Sequence, residues 1–254
     1  TADDLRVFAD FLSSDYDISM NTIVTNMTLM RTVCNWVRKQ GVTNNDPFFG
    51  YDMPKALYGT PYFLTIQERD QVLDADLTDD AELAEYRDMF VFQCMVGCRH
   101  SDLVTFTPKN IIDGVLEYIP IKTKGKLGDV VRVPLIPKAM AILDGHDHGD
   151  DEPIFPKHYN FKFNDAIRRI LKRAKVNRVV TVINPKTRLE EKKPISDVAT
   201  SHLARRTFIG NLYRMVKDPD LVASMSGHAK GSVAFARYRV IDDDMKKSLV
   251  ELIQ

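Results

Sequence analysis

The sequence is poor in cysteine and has no long hydrophobic run. Of its 254 residues, three are cysteines, one is tryptophan and 44% are hydrophobic. No apolar stretch approaches the ~18 residues of a membrane-spanning helix, so no such helix is predicted. The cysteines, Cys34, Cys94 and Cys98, are odd in number and contain no CxxC pair, which argues against a disulfide framework or a zinc ribbon. We therefore predict reduced core cysteines in an intracellular, cytoplasmic protein.

Several catalytic motifs are also absent. The chain has no GxxxxGK[ST] phosphate loop, no GxGxxG after a strand, no GxSxG elbow and no HExxH pair. These absences argue against P-loop, dinucleotide-binding, α/β-hydrolase and zinc-protease chemistry. The best metal candidate is the acidic turn at 144–151, which holds His146, His148 and several aspartates. We interpret it as an exposed, hydrated turn and predict neither metal nor cofactor, with metal binding as the alternative.

Net charge is absent from the whole chain but not from its parts. The total is zero, with 35 basic and 35 acidic side chains. Residues 1–98 hold 7 Lys/Arg and 16 Asp/Glu, a net charge of −9, whereas residues 157–217 hold 16 and 4, a net charge of +12. Such a basic block is either an anion-binding surface or a solvated basic face, and charge alone does not distinguish the two.

The hydrophobic pattern predicts a mainly α-helical chain with small β-hairpins, an α+β class. Thr1 and Asp4, and later Thr65 and Glu68, have the capping-box spacing that begins a helix. A segment rich in proline and glycine separates the first two helices from the rest. Two strands, 115–121 and 130–135, flank a basic turn at 122–129. Further helices are predicted at 81–97, 137–143, 159–174, 201–216, 219–226, 230–237 and 243–253, with a second small hairpin beginning at 179–183.

Four clusters contain residues suited to binding an anion. Arg99 follows Gly97 at a helix junction, where backbone N–H groups are free. The hairpin turn carries lysines, His202 and Arg205 lie three residues apart on one helix face, and a Gly-His pair precedes a tyrosine. Taken singly, each has a structural interpretation: a helix cap, a charged turn, or a core tyrosine. In chain order the set is Arg99, Lys122, Lys124, Lys126, His202, Arg205, Gly227, His228 and Tyr238.

This ordered set resembles the tyrosine recombinases of the phage integrase family. The arginine turn, the hairpin lysine, H-x-x-R-R-T-F, G-H and the late tyrosine occur in the family's order. The resemblance is strongest to integrases of conjugative transposons and related mobile elements, and covers residues 60–254. It implies a catalytic domain at 64–254, preceded by a linker at 48–63 and by a partial helical, SAM-like core-binding domain at 1–47.

The resemblance also implies an activity and roles for the motif residues. The protein is expected to be a site-specific recombinase that integrates or excises a mobile element. It would cut and rejoin DNA strands through a 3′-phosphotyrosyl intermediate, without metal or ATP. Tyr238 would be the nucleophile, and Arg99 and Arg205 would hold the phosphate oxygens. His202 and His228 would hydrogen-bond there, and Lys122, with Lys124 as the second candidate, would protonate the leaving oxygen.

The implied partners are double-stranded DNA and further copies of the chain. We expect a tetramer on DNA, with the last helix, 243–253, either docked on a neighbouring subunit or folded back on its own core. Accessory DNA-bending or directionality factors and a bacterial, nucleoid-associated location are also expected, and no membrane. The alternatives are a catalytically inert DNA-binding protein of the same fold and a type IB topoisomerase-like or resolvase enzyme. Contacts to DNA are predicted for Lys124, Lys126, Arg168, Arg169, Lys172, Arg173 and Arg206.

Overall fold

Helices account for most of the regular structure, and the strands form two small sheets. The computed structural model describes residues 1–124, 130–146, 149–216, 218–228 and 250–251. Within these the chain divides into two units, Thr1–Gly59 with Thr181–Lys192, and Thr60–Val180 with the described residues from Lys193 onward. The predicted class, mainly α with small β-hairpins, is confirmed. The predicted domain boundaries at residues 47 and 64 stay a prediction.

The first unit is built on two amphipathic helices, α1 (Ala2–Ser14) and α2 (Met20–Lys39). The capping box at the start of α1 forms as predicted, because the Thr1 hydroxyl accepts from the Asp4 amide and the Asp4 carboxylate accepts from the Thr1 amine. A small core holds the helices together. Its buried members are Leu5, Ile23, Met27 and Phe48.

The tip of a β-hairpin also belongs to this first unit. Its strands are β4 (Val179–Ile183) and β5 (Glu190–Pro194). In the tip, the carbonyl of Pro185 accepts a hydrogen bond of 3.2 Å from the Met20 amide, at the start of α2. Lys186 forms an ion pair with Asp17. The sequence predicted the hairpin but not that its tip packs with residues from the first 60.

The second unit is arranged around one buried helix, α4. All residues from Met89 to Val96 at its C-terminal end are buried, so the helix has no solvent face there. Such a helix is the centre of a core rather than its edge. It packs against α3, α6, α7 and α9. The helices of this unit are α3 (Ile66–Leu73), α4 (Ala81–Val96), α5 (His100–Leu103), α6 (Pro137–Asp144), α7 (Asn160–Arg173), α8 (Ile195–Val198), α9 (Ser201–Val216) and α10 (Pro219–Ser226).

The second unit also holds a three-stranded antiparallel sheet in the order β1–β2–β3. The strands are β1 (Ile111–Ile112), β2 (Val115–Tyr118) and β3 (Val131–Pro134), with Tyr118 opposite Val131. The strand predicted to reach residue 121 ends at Tyr118. Pro120 interrupts it because proline has no amide to donate, and a 3₁₀ turn, Ile121–Thr123, follows. The strand β1 was not predicted.

The helices predicted at 230–237 and 243–253 lie outside the described residues, apart from Val250 and Glu251, which are helical. Across the described ranges, no helix is both long and apolar enough to span a bilayer. Cys94 and Cys98 are buried in the core as predicted, Cys34 is half-buried, and all three are free thiols.

Candidate active site

The site begins where the buried helix α4 ends. Gly97 closes α4 in the left-handed region, at φ 69°, where side chains other than glycine are strained. A Cβ at this position would lie 2.2 Å from the ring of Phe208, so the close packing of α9 also requires glycine. Gln93 donates to the Cys98 carbonyl over 3.0 Å and supports the turn. The chain then reaches Arg99, the N-cap residue of α5.

Arg205 of α9 is the largest fully buried side chain described in the protein, with 2% exposure. Burying a guanidinium is costly unless hydrogen bonds compensate it. Its Nη1 donates to the Gly97 carbonyl over 2.8 Å, and its Nη2 lies 3.1 Å from Nδ1 of His228. These bonds fix the planar guanidinium between the end of α4 and the end of α10.

His228 follows the glycine that ends α10. Gly227 has φ 64°, and a Cβ there would lie 3.0 Å from Val131 and 3.1 Å from Pro120. The His228 amide donates to the carbonyl of Ala223, which fixes the backbone. Nη2 of Arg205 lies 3.1 Å from Nδ1 and 3.4 Å from Nε2 of His228, and the Ser226 hydroxyl lies 2.9 Å from Nδ1. Because a guanidinium only donates, the ring nitrogen that bonds to it accepts.

The charges of the predicted cations influence one another's ionisation. His202 is exposed at the start of α9, and its pKa is lowered from 6.5 to about 4 by partial desolvation, followed by the positive charges of Arg206, Arg205, Arg99 and Lys122. Desolvation, followed by Arg205, Arg99, His202 and Lys122, lowers the pKa of His228 to about 3. Both rings are therefore neutral at pH 7. We call Arg99, Lys122, His202, Arg205 and His228 the cationic cluster.

Arg99 has hydrogen-bonding capacity that the described residues do not use. Its Nη1 atom is buried, and no hydrogen-bond partner is present for it in the described parts of the chain. A buried, unpaired donor costs roughly 1–3 kcal/mol and calls for an explanation. An anionic ligand such as a phosphodiester would supply the missing acceptor.

Lys122 reaches the cluster from the 3₁₀ turn rather than from a strand. The turn is attached to α5, because the Ile121 amide donates to Oδ1 of Asp102 over 2.9 Å. Asp102 is 1% exposed and lies on the helix that Arg99 caps. No role was predicted for Asp102 from the sequence, although it lies three residues after Arg99 in the same arginine turn.

Comparison with known proteins identifies the family. The model of the phage integrase family matches residues 62–245, well over half of the chain. The chain belongs to the phage integrase family. It is thus a tyrosine recombinase, as its motifs predicted. No match was found among curated proteins.

Solved structures of integrases and recombinases share the fold of this recombinase. A Tn1549 transposon integrase in complex with circular intermediate DNA has a TM-score of 0.70 at 16% identity, covering 98% of this chain and 84% of that one. A lambda integrase dimer bound to a COC′ core site has a TM-score of 0.65 at 15% identity, covering 96% and 80%. A XerH recombinase bound to difH substrate has a TM-score of 0.61 at 16% identity, covering 98% and 70%. At these identities the likeness shows the fold.

Two of the predicted site residues, Tyr238 and Lys126, lie outside the described residues. Their roles stay predictions. Lys124 is exposed directly after the 3₁₀ turn. Arg206 stacks over the ring of Tyr62, with 5.1 Å from its guanidinium carbon to the ring centroid. This contact holds the Arg206 side chain beside Tyr62.

The four predicted DNA contacts on α7 all have acidic partners within the protein. Arg169 pairs with Asp80 at 2.7 Å, and Arg173 pairs with Asp79 at 2.6 Å. Both aspartates precede α4, in the acidic part of the chain. The other two pairs are Arg168 with Asp165 at 3.5 Å and Lys172 with Asp197 at 2.8 Å. Phosphate contacts by these cations, which stay a prediction, would have to compete with these carboxylates.

The acidic turn at 144–151 shows no metal site in the part that the structure describes. No group of three or more His, Cys, Asp or Glu side chains suited to a metal occurs among the described residues. His146 packs edge-on against Phe155, with ring centroids 5.1 Å apart, and lies 3.6 Å from an Asp88 oxygen. His148 lies outside the described residues.

Proposed function

We propose that this recombinase cuts and rejoins DNA strands at specific sites with Tyr238 as its nucleophile. The observation that carries the proposal is the cationic cluster, in which residues from α5, the 3₁₀ turn, α9 and the end of α10 meet. The unpartnered Nη1 of Arg99 points to an anionic ligand there. The tyrosine oxygen would attack phosphorus and form a 3′-phosphotyrosyl link, while the bond to the 5′ oxygen breaks.

The two arginines would stabilise the transition state. Negative charge accumulates on the non-bridging oxygens of the pentavalent phosphorus, where preorganised donors are most effective. Arg205 is held in place by Gly97 and His228 before any ligand binds, so little reorganisation is needed. Planar guanidinium groups match phosphate oxygens in geometry as well as charge.

The histidines and the lysine would handle the protons. His202 is neutral at pH 7 because its pKa is about 4, so an unprotonated ring nitrogen would accept the tyrosine proton. A bound phosphate would raise that pKa because it adds negative charge beside the ring. His228 would hydrogen-bond a phosphate oxygen through its ring. Lys122, with Lys124 as the second candidate, would protonate the departing 5′ oxygen.

The proposed partners follow from the relatives. The Tn1549, lambda and XerH proteins are bound to DNA in the structures compared. For this recombinase we propose duplex DNA, assembly as a tetramer on it, and DNA-bending or directionality factors as accessories. We also propose that no metal takes part. ATP is not needed, because the phosphotyrosyl bond retains the energy for a second 5′ hydroxyl to reseal the strand.

Trapping of a covalent complex tests the proposal. Duplexes that the protein selects from a randomised pool would be nicked close to the cleaved phosphate, so that the cut fragment diffuses away. The wild type is expected to form a covalent adduct that survives denaturation, and Tyr238→Phe to form none. Equal adduct yields from the two proteins would contradict the assignment of Tyr238 as the nucleophile. EDTA should leave the yield unchanged, and strong inhibition would restore the metal interpretation of residues 144–151.

The same assay separates the alternative functions. A catalytically inert binder would shift the duplex but form no adduct even as wild type. A topoisomerase-like enzyme would form the adduct and relax supercoils, but it would not join the cut strand to a second duplex. A recombinase is expected to form the adduct and to join the cut strand to a second duplex. The product of strand exchange between two labelled duplexes is therefore the deciding measurement.

A sulfur-substituted substrate identifies the general acid. A thiolate leaves without a proton, so a duplex with sulfur at the bridging 5′ position bypasses the lysine. Cleavage by Lys122→Ala is expected to fall by about 10²-fold on the normal substrate and to recover on the sulfur substrate. If Lys124→Ala is the variant that loses cleavage of the normal substrate and recovers it on the sulfur substrate, Lys124 is the general acid.

A further inference from the structure

A pair of large aromatic side chains is exposed at the start of α7. Tyr159 is 75% exposed and Phe161 is 68% exposed. Their rings stack on each other, with centroids 6.0 Å apart and planes at 23°. Large aromatic side chains are mostly buried in folded proteins, and exposed aromatic patches commonly mark a binding surface. The mechanism proposed above does not use either ring.

The segment that carries this aromatic pair is hydrogen-bonded to the start of α9. Tyr159 is the N-cap residue of α7 and makes no side-chain capping bond. Asn160, between the two rings, accepts from the Ser201 hydroxyl over 3.2 Å, and Asn164, one turn later, accepts from the Ser201 amide over 2.8 Å. The next residue after Ser201 is His202 of the cationic cluster. Two hydrogen bonds thus hold the start of α7, which carries the rings, against the start of α9, next to His202.

The charge around the pair favours an anionic partner. Lys157 and Lys162 flank the rings in the sequence and are exposed. Within the described ranges neither lysine has a carboxylate within salt-bridge distance, unlike Arg168, Arg169 and Arg173 further along α7. Two unpaired lysines beside an apolar surface match a duplex, which offers phosphates beside base edges. A purely apolar protein partner would leave both charges uncompensated.

We propose that Tyr159 and Phe161 read the DNA sequence beside the cleaved phosphate, by apolar contact with thymine methyl groups in the major groove. The start of a helix fits this groove, and the thymine 5-methyl is the apolar group that base pairs present there. Lys157 and Lys162 would contact the adjoining phosphates without contributing to selectivity. This inference rests on the proposed function, because it requires that the cationic cluster binds a DNA phosphate.

Selection from a randomised duplex pool tests the inference on the 254-residue chain. The wild type is expected to enrich thymine at one or two positions. The double variant Tyr159→Ala/Phe161→Ala is expected to lose selectivity at those positions and to keep it elsewhere. Both side chains are exposed, so folding should be retained, which thermal unfolding checks. The control Lys162→Ala should weaken binding to every sequence by a similar factor.

Replacement of the enriched thymines by uracil tests the same contact with the unaltered protein. Uracil lacks only the methyl group, so wild-type affinity is expected to fall about three- to fivefold per position. The double variant should show no such loss. If uracil has no effect on the wild type, or if the variant keeps the same selected sequence, base reading by this pair is overturned while the recombinase proposal stands.

Two further outcomes separate the sources of failure. If the aromatic variant changes the oligomeric state in sedimentation but not the selected sequence, the pair is a contact between copies of the chain and the inference is wrong. If the wild type binds no duplex at all, the proposed function fails and this inference fails with it. The two cases differ in the wild-type binding curve, which is measured first.

Discussion

Two groups of positive charge in the second unit differ in what surrounds them. In the cationic cluster, the buried Nη1 of Arg99 has no partner in the described chain, and Lys122 has no carboxylate at salt-bridge distance there. On α7, by contrast, Arg168, Arg169, Lys172 and Arg173 each pair with an aspartate. The number of basic residues therefore does not locate an anion site. What locates it is positive charge that the fold leaves uncompensated.

The difference has a physical cause in the depth of the two groups. The α7 cations are at the surface, where water screens them and a carboxylate costs little to bring close. Arg205 is buried with 2% exposure, so its charge is expensive to keep and its position is fixed by hydrogen bonds. A fold retains such a buried cation at a cost in stability, and a binding or catalytic role accounts for that cost.

The largest expected effect comes from breaking the cationic cluster at Arg205. Arg205→Lys keeps the charge but loses the planar group that donates to both Gly97 and His228. Cleavage of the nicked duplex should fall by about 10²–10³-fold, the range typical for one lost transition-state donor. The matched variant on the other group, Arg173→Lys, should change the rate by less than twofold, since it lies on the surface beside Asp79. Similar losses in both variants would remove the distinction between the groups.

The next effect concerns the glycine that shapes the cluster. Gly97→Ala adds a Cβ 2.2 Å from the Phe208 ring at a positive φ, whereas Gly114→Ala adds one at φ 74° with no neighbour within 4 Å. The control should cost about 1–2 kcal/mol from backbone strain alone, and Gly97→Ala about 1–3 kcal/mol more from overpacking. Urea unfolding measures both free energies. Equal values would mean that Phe208 moves aside without cost.

The sequence predicted the helix bounds and the residues of the cationic cluster well. The bounds of α9 and α10 agree with the prediction, and α10 begins and ends at local signals, with Asp218 before it and Gly227 after it. The cluster residues were found because their types and spacing form a recognisable order. The described structure brings five of the six predicted catalytic residues together, and the sixth, Tyr238, lies outside the described residues.

What the sequence could not predict depends on contacts between distant residues. Arg173 and Asp79 are 94 positions apart, so the partner of the basic helix could not be inferred from local spacing. The attachment of the 3₁₀ turn to Asp102 and the very short strand β1 are tertiary features of the same kind. Local patterns determine helices and caps, whereas the pairing of charges is set by packing.

Acid should destabilise the cationic cluster before it affects the Arg173–Asp79 pair. Folding lowers the pKa of His202 to about 4 and of His228 to about 3, so below pH 6.5 the unfolded chain binds more protons than the folded one. The free energy of unfolding is therefore expected to decrease as the pH falls from about 6.5 towards 4. The hydrogen bond from Arg173 lowers the pKa of Asp79, so that pair is lost only below pH 3.8.

Urea midpoints measured between pH 7 and pH 4 check this dependence. His228→Gln should flatten the decrease, because it removes one of the two groups that take up protons on unfolding. Burial and His158 also lower the pKa of His100, so His100→Asn serves as the comparison variant. If His100→Asn flattens the curve and His228→Gln does not, the acid sensitivity belongs to the core histidines rather than to the cluster.

The smallest effect separates paired from unpaired cations on one helix. Lys162 has no acidic partner within the described chain, whereas Arg169 lies 2.7 Å from Asp80. In salt titrations with a random duplex, Lys162→Ala should reduce the slope of log affinity against log salt by about 0.9, the value for one lost phosphate contact. Arg169→Gln should leave the slope unchanged, because its charge already has a carboxylate.

The same pair gives the internal control for that result. Asp80→Asn keeps a side-chain oxygen to cap α4 at the Leu83 amide but removes the charge that faces Arg169. With the carboxylate gone, Arg169 is released, and the salt slope should become steeper by up to about 0.9. Folding stability should change by no more than about 1 kcal/mol, since the pair is near the surface. If instead Arg169→Gln already lowers the slope as much as Lys162→Ala, the α7 cations leave their aspartates when DNA binds, and the predicted phosphate contacts of this helix would hold.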